Sequence, residues 1–136
     1  MRSGAPGGAG SGLRPGLERV DEFVVEDRLL TDVGGTIGAR VLSTPGMIAM
    51  MERNAALLVF EHLRAGQATV GFEVCVKHVA AAGEGASCRV RATLREVIDE
   101  RKLRFDVEVA EGDRTLGVGT HERRVISVPD SPPPAP

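Results

Sequence analysis

The sequence predicts an α+β fold in which an antiparallel β-sheet wraps around one long helix. Two observations lead to this prediction. One segment, residues 44–64, has the length and apolar periodicity of an amphipathic helix. Four later segments alternate apolar and polar residues with the period of two that half-buried strands show. A helix with one apolar stripe and a sheet with one apolar face cover each other, and this gives a two-layer domain.

Both ends of the chain have the composition of linkers. The glycine-rich beginning, residues 1–16, and the proline-rich tail, residues 129–136, are predicted to be disordered, so the folded domain is expected to span residues 17–128. A first strand is expected around Phe23. A glycine-rich loop, residues 31–43, then leads into the helix.

The helix has clear signals at both ends. Thr44 is a suitable N-cap, and Pro45 fits the first helical position because no amide hydrogen is needed there. Glu52 lies inside the predicted apolar stripe, where a buried carboxylate needs a charged or hydrogen-bonding partner. It is either a boundary residue that reaches water or a carboxylate in a half-dry cleft with tunable basicity. The other members of the stripe are Ile48, Met51, Ala55, Ala56 and Val59.

Four strands are predicted after the helix, joined partly by short polar turns that suit antiparallel hairpins. In the first of them, Val70, Phe72, Val74 and Val76 share a face and His78 continues in the same phase. A sheet of this kind has exposed edges, so a homodimer that pairs edge to edge is expected. The predicted faces of the other three strands are Cys88, Val90, Ala92 and Leu94; Leu103, Phe105, Val107 and Val109; and Leu116, Val118 and Thr120, with Gly117 and Gly119 in the opposite phase.

Composition argues against several classes of function. A net charge of −2 and an aromatic content of 3%, without Trp or Tyr, give no basis for binding nucleic acid. No apolar run approaches the ~18 residues of a membrane span, and the N-terminus has no hydrophobic signal region, so a cytoplasmic location is expected. Cys75 and Cys88 have no CxxC spacing and are interpreted as sheet or core residues rather than metal ligands or a redox pair. Neither a metal nor a cofactor is expected.

A few residues could carry chemistry. Thr44 offers a hydroxyl at the start of the helix, although a threonine there is usually a structural cap. His78 alone would more often be a core residue, but opposite Glu52 on the facing helix it becomes a credible acid–base partner. The backbone amides of Gly46 and Met47, in the first helical turn, could bind an oxyanion.

Three motifs carry a resemblance to a known family. They are TPGM followed by Glu52, VKHVAAA around His78, and GVGTHERRVI near the end. In these motifs and in the order of its elements, the chain resembles the hot-dog fold thioesterases over about residues 20–128, most closely the fluoroacetyl-CoA thioesterase type. The resemblance implies an enzyme that hydrolyses acyl-CoA thioesters, built as a homodimer with active sites near the subunit boundary.

The resemblance also implies site residues. The threonine, glutamate and histidine that do the chemistry in this family fall on Thr44, Glu52 and His78. A glycine and an arginine that hold the acyl end fall on Gly71 and Arg123, with the adjacent Arg124 as the alternative. The family's longer, phenylalanine-bearing lid is missing, because the segment DVGGTIGARVLS has no aromatic residue. We therefore carry over thioester hydrolysis and not fluoroacetyl specificity.

The sequence leaves the arrangement of this site open. Thr44 and Glu52 are eight residues apart, about 12 Å along a regular helix, so their side chains cannot touch. The gap could hold the thioester, the helix could begin later, or one residue could come from the second subunit. Glu52 could act as a general base or as a nucleophile.

Other charged residues and other functions also stay open. His62 is interpreted as structural, and His121 as equally structural or substrate-facing. The arginine row at positions 89, 91 and 95 fits a solvated strand face or, as an alternative, the phosphates of coenzyme A. A non-catalytic acyl-CoA binding module and a hot-dog hydratase or dehydratase remain alternative functions.

Overall fold

The computed structural model describes residues 12–129 of the chain. Within this range it contains one α-helix, a single 3₁₀ turn and seven β-strands. In chain order they are β1 (Glu18–Val24), the 3₁₀ turn (Asp27–Leu29), β2 (Leu30–Thr31), β3 (Val41–Leu42), α1 (Thr44–Phe60), β4 (Gln67–His78), β5 (Ser87–Ile98), β6 (Lys102–Glu111) and β7 (Arg114–Ser127).

One five-stranded sheet organises the domain. Its strand order is β1-β5-β6-β7-β4, and each neighbouring pair is antiparallel. The short strands β2 and β3 pair separately before the helix. Helix α1 packs on one face of the five-stranded sheet, so the predicted α+β fold with one helix and an antiparallel sheet is confirmed. Strand β4 lies at an edge of the sheet and follows the helix directly.

The predicted domain boundaries fall partly outside the described residues. Residues 1–11 and 130–136 lie outside the described range, so the linkers predicted there stay a prediction. Residues 12–16 are described, and the Gly16 amide donates a hydrogen bond to the Leu94 carbonyl at 2.8 Å. In the described part of the chain, no helix has the length and apolar character that crossing a membrane requires.

Helix α1 begins with a different cap from the one predicted. Ser43 is the N-cap, and its hydroxyl accepts a hydrogen bond from the Gly46 amide at 2.9 Å. Thr44 and Pro45 are the first two helical residues, so the predicted N-cap role of Thr44 is wrong. A serine hydroxyl caps a helix as well as a threonine does, and its position leaves the Thr44 hydroxyl free to bond elsewhere. The helix ends at Phe60, short of the predicted residue 64.

The buried stripe of α1 is rotated from the predicted one. Ile48 and Ala56 are only half-buried, and Glu52 lies at the margin with 41% of its side chain exposed. The facing strand has room for this stripe because Gly117 carries no side chain: a Cβ there would collide with Met47 and crowd Met51. The buried residues of the stripe are Met47, Met50, Met51, Asn54, Ala55, Leu58 and Val59.

A β-bulge in β4 changes which residues face the helix. The register of β4 against β7 shifts between Gly71 and Glu73, so Phe72 is an extra residue. Val70 and Phe72 point away from the helix and are 45% and 59% exposed, and the Arg124 guanidinium lies over the Phe72 ring. The predicted common face for these two residues and the later valines is therefore wrong, because the bulge reverses the alternation. The helix-facing residues after the bulge are Val74, Val76 and His78.

Candidate active site

Thr44 and His78 meet directly. Thr44 Oγ1 lies 2.8 Å from His78 Nδ1, although the two residues are 34 positions apart in the chain. Thr44 is the first residue of α1 and His78 is the last residue of β4, so the start of the helix and the end of the edge strand converge here. This pairing of a hydroxyl with an imidazole nitrogen allows a proton to be shared between them.

The second ring nitrogen of His78 is available for other partners. His78 Nε2 is buried and has no hydrogen-bond partner among residues 12–129. Buried polar atoms in proteins are nearly always paired, so an exception indicates a place for water or a ligand. His78 also lines an open cleft of about 290 Å³ together with Val41, Leu42 and Val79–Ala81.

Glu52 lies in a second group, with Gly71 and Arg123. Its Oε2 atom is 4.0 Å from Arg123 Nη1. The same oxygen lies 2.5 Å from the position that a Cβ on residue 71 would occupy. Any side chain at this position would displace the carboxylate, so glycine is required for Glu52 to lie against β4 in this position. The bulge makes this possible, because it turns Gly71 toward the helix.

The structure distinguishes between the two adjacent arginines. Arg123 is 7% exposed and lies on the helix side, where its Nε and Nη2 groups donate to the hydroxyl and the carbonyl of Thr69 at 2.8 and 3.0 Å. Arg124 lies on the opposite face, where it pairs with Glu122 at 2.7 Å. Of the two, only Arg123 is within reach of Glu52.

His121 joins the Arg123 group from the same strand. Its Nδ1 atom is 2.8 Å from the Glu73 carbonyl, and its Nε2 atom is 3.3 Å from Arg123 Nη1. Burial is the main cause that lowers the pKa of His121, and the nearby Arg123 lowers it further. The Glu73 carbonyl and Glu52 oppose this shift. Burial also lowers the pKa of Arg123, although an arginine stays charged at any ordinary pH.

The two groups are separate within one chain. Thr44 and Glu52 are about 12 Å apart along α1. Their neighbours on β4, His78 and Gly71, are about 20 Å apart along the strand. A single subunit therefore does not bring Glu52 to His78, and the two residues have different immediate neighbours.

The predicted oxyanion donors do not fit the observed geometry. The Gly46 amide donates to the Ser43 hydroxyl, and the Met47 amide donates to the Ser43 carbonyl at 2.9 Å. Both amides therefore already have acceptors within the cap. The absence of a side chain at Gly46 instead allows close packing, since a Cβ there would lie 3.1 Å from the Leu29 carbonyl oxygen.

Sequence reasoning named His121 and Arg123 separately, but it missed the contact between them and the role of Thr69. The sequence did not indicate which face of β4 Thr69 occupies, because the bulge interrupts the alternation of that strand. His121 and Arg123 are two residues apart on β7 and therefore share a face, a signal that was present in the sequence.

The remaining candidates are accounted for by local contacts. On the outer face, Arg89 donates to the Gly112 carbonyl and Arg95 pairs with Asp106 at 3.0 Å, as expected for a solvated strand face. Cys75 and Cys88 are free cysteines. Within residues 12–129, no cluster of three or more His, Cys, Asp or Glu side chains could hold a metal ion.

Comparison with known sequences gives matches to one family. A family model described as fluoroacetyl-CoA-specific thioesterase matches residues 24–129. The fluoroacetyl-CoA thioesterase of Streptantibioticus cattleyicolor is 36% identical over 86 residues, which cover 63% of this chain and 61% of that protein. The alignment thus spans about three-fifths of the length of this relative.

Solved structures agree with the fold. A structure of the fluoroacetyl-CoA thioesterase superposes with a TM-score of 0.77 at 29% identity, covering 86% of this chain and 90% of that one. A member of the thioesterase superfamily from Thermus thermophilus has a TM-score of 0.75 at 25% identity, with 84% of each chain covered.

Proposed function

The chain belongs to the fluoroacetyl-CoA-specific thioesterase family, and we propose that it hydrolyses a small acyl-CoA thioester to the acid and free coenzyme A. The observation that carries this proposal is the 2.8 Å contact between Thr44 Oγ1 and His78 Nδ1, beside a buried His78 Nε2 without a partner. Hydrolysis needs only water and side chains of this kind, so no cofactor and no metal ion enters the proposal.

The proposed working unit is a homodimer that pairs through β4. This strand is 12 residues long and lies at the edge of the sheet, with Phe72 and Cys75 exposed along it. An unpaired edge of this length favours pairing with a second copy. If two β4 strands paired antiparallel about a two-fold axis at Cys75, with the extra residue Phe72 left out of the pairing, His78 of one subunit would lie opposite Gly71 of the other.

This pairing would unite the two separate groups. Glu52 contacts Gly71 in its own subunit, and Thr44 contacts His78 in the other. Each proposed site therefore combines Glu52 of one subunit with Thr44 and His78 of its partner. The dimer would contain two such sites, related by the two-fold axis.

The proposed chemistry follows from the donors and acceptors. When the Thr44 hydroxyl donates to Nδ1 of the neutral His78 ring, Nε2 carries the ring hydrogen and can donate it to the thioester oxygen or the departing thiolate. Glu52 either removes a proton from the attacking water or attacks the carbonyl itself, forming an anhydride that water then hydrolyses. In both routes the water hydroxyl ends on the acyl carbon and a proton ends on the thiolate.

Arg123 and Gly71 are proposed to hold the acyl end. The guanidinium is fixed by Thr69 and keeps N–H groups that are not used in those two bonds. The absence of a side chain at Gly71 leaves room beside the carboxylate of Glu52. The proposal is limited to small acyl groups. It does not include fluoroacetyl specificity, because the exposed residues 32–40 before the helix contain no aromatic side chain.

The test is release of free thiol from a panel of acyl-CoAs graded in length and α-substitution. We expect turnover of the smallest members, and a fall of about 100-fold or more in Glu52→Gln and His78→Asn. Glu22→Gln is the matched control, since Glu22 is exposed on β1. If folded protein binds acyl-CoAs without releasing thiol from any of them, the chain is a binding module and the hydrolase proposal is wrong. Hydration of an enoyl-CoA would indicate the other alternative.

The proposed cytoplasmic location follows from the substrate class, because acyl-CoAs are made and used inside cells. It is tested by fractionating cells that express the full chain and following the protein with an antibody. Recovery in a secreted or membrane fraction would contradict it.

A further inference from the structure

His121 occupies a position that neither the apolar core nor the proposed chemistry requires. It is 2% exposed, and its ring stacks on Phe105 with centroids 5.9 Å apart and an interplanar angle of 25°. Both ring nitrogens have partners, the Glu73 carbonyl at Nδ1 and Arg123 Nη1 at Nε2. A buried imidazole with two defined partners is held in a single orientation.

The partners determine where the ring hydrogen lies. A carbonyl oxygen can only accept, so Nδ1 of His121 must carry a hydrogen. A guanidinium can only donate, so Nε2 must be bare and accept from Arg123 Nη1. These two requirements are met together only by the neutral Nδ1–H tautomer. In the doubly protonated ring, an N–H group would face the N–H groups of Arg123, with no acceptor between two positive charges.

The Arg123 guanidinium is attached to β4 on either side of the bulge. Thr69, before the bulge, accepts from Nε and Nη2 directly. Glu73, after the bulge, reaches Nη1 through the His121 ring. A bulge locally disrupts the ladder of strand hydrogen bonds, so it can offer a carbonyl to a side chain. The guanidinium is therefore attached to β4 on both sides of Gly71.

We propose that His121 is a positioning residue for Arg123: its neutral ring links the Glu73 carbonyl to Arg123 Nη1 and holds the guanidinium in place beside Glu52 and Gly71. Without this link, the guanidinium would keep its two bonds to Thr69 but lose the contact that fixes Nη1. The proposal rests on the proposed function only where it says that this arrangement supports hydrolysis.

The first test is made on the unchanged protein by nitrogen-15 NMR, which distinguishes the two neutral histidine tautomers. The chain has three histidines, so His121 is assigned by comparison with single variants. We expect the Nδ1–H tautomer of His121 at pH 7. The Nε2–H tautomer, or a charged ring at this pH, would overturn the proposal whatever reaction the protein performs.

The second test uses two substitutions that each keep one half of the link. In His121→Gln the side-chain amide can still accept from Arg123, whereas in His121→Asn it can reach only the Glu73 side. We expect kcat/KM to fall about tenfold or more in His121→Asn, as for loss of a hydrogen bond to a charged group, and less in His121→Gln. His62→Asn is the control, because His62 lies beyond the end of α1.

A third measurement separates positioning from a general structural role. In an Arg123→Lys background, His121→Asn should cause little further fall in kcat/KM, because the residue acts through the guanidinium. An equal fall in both backgrounds would overturn the proposal. Failure of the unchanged protein to hydrolyse any acyl-CoA would instead disprove the proposed function, and the tautomer measurement would still decide the role of His121.

Discussion

A mixing experiment tests whether each active site is shared between two subunits. The two parents are Glu52→Gln and His78→Asn, each expected to be nearly inactive alone. In one chain their side chains lie near positions of β4 that are about 20 Å apart. Across two antiparallel β4 strands paired about the proposed axis, the same positions would be direct neighbours at about 5 Å. The partner of each residue is therefore expected to come from the other subunit.

The expected recovery can be worked out from this geometry. In a mixed dimer, one shared site carries both substitutions and the other carries neither. Random assortment makes about half of the dimers mixed, each with one intact site in two, so an equal mixture should recover about 25% of unsubstituted turnover. If Glu52 and His78 of the same chain worked together, every site in the mixture would carry one substitution and no activity would return.

The assay is thiol release after the two variants are unfolded and refolded together. Native mass spectrometry of differently tagged chains gives the fraction of mixed dimers, and each variant refolded alone gives the baseline. An activity that stays at the baseline while mixed dimers form would refute the shared site. A protein that stays monomeric at assay concentrations would refute the dimer itself.

Three further substitutions test individual contacts. Gly71→Ala should lower kcat/KM with little change in thermal stability, because the new Cβ displaces only the end of the Glu52 side chain; a large fall in Tm with unchanged turnover would contradict this. Ser43→Ala should cost about 1 kcal/mol of unfolding free energy in urea, through loss of the helix cap, and no loss would contradict the capping role. Asp21→Ala should cost about 1–2 kcal/mol at pH 7, because it leaves the buried amide of Asn54 without its acceptor. The Arg19 guanidinium holds the pKa of Asp21 below its ordinary value of 3.8. The loss of unfolding free energy in Asp21→Ala should therefore be largest above pH 3.8 and should shrink as the pH falls through the lower pKa of the folded protein. A loss that grows in acid would contradict this role of Asp21.

The fold could be predicted from the sequence because its signals are local. The period of two in β5 and β6 survives almost unchanged in the structure, with Val90, Ala92 and Leu94 buried as expected. The bulge in β4 could not be predicted, since it depends on the register of that strand against β7. A single extra residue, Phe72, was enough to reverse the predicted faces around it.

The candidate site could be predicted only in part. Thr44 and His78 were proposed together, and the structure brings them into contact. Glu52 was expected in the apolar stripe, but the buried stripe is rotated toward Met47 and Met51, which pack against Gly117 of β7, and Glu52 lies at its margin. The amides of Gly46 and Met47 were expected to be open, because the sequence did not show that Ser43 would cap the helix.

The hydroxyls of the adjacent residues Ser43 and Thr44 make two different contacts. Ser43 closes the first turn of α1, and Thr44 reaches across to His78. If one hydroxyl both capped the helix and contacted His78, a substitution that changed this contact would also destabilise the helix. Here the cap and the contact with His78 are made by different residues. Substitutions at position 44 can therefore alter the contact with His78 while Ser43 still caps the helix.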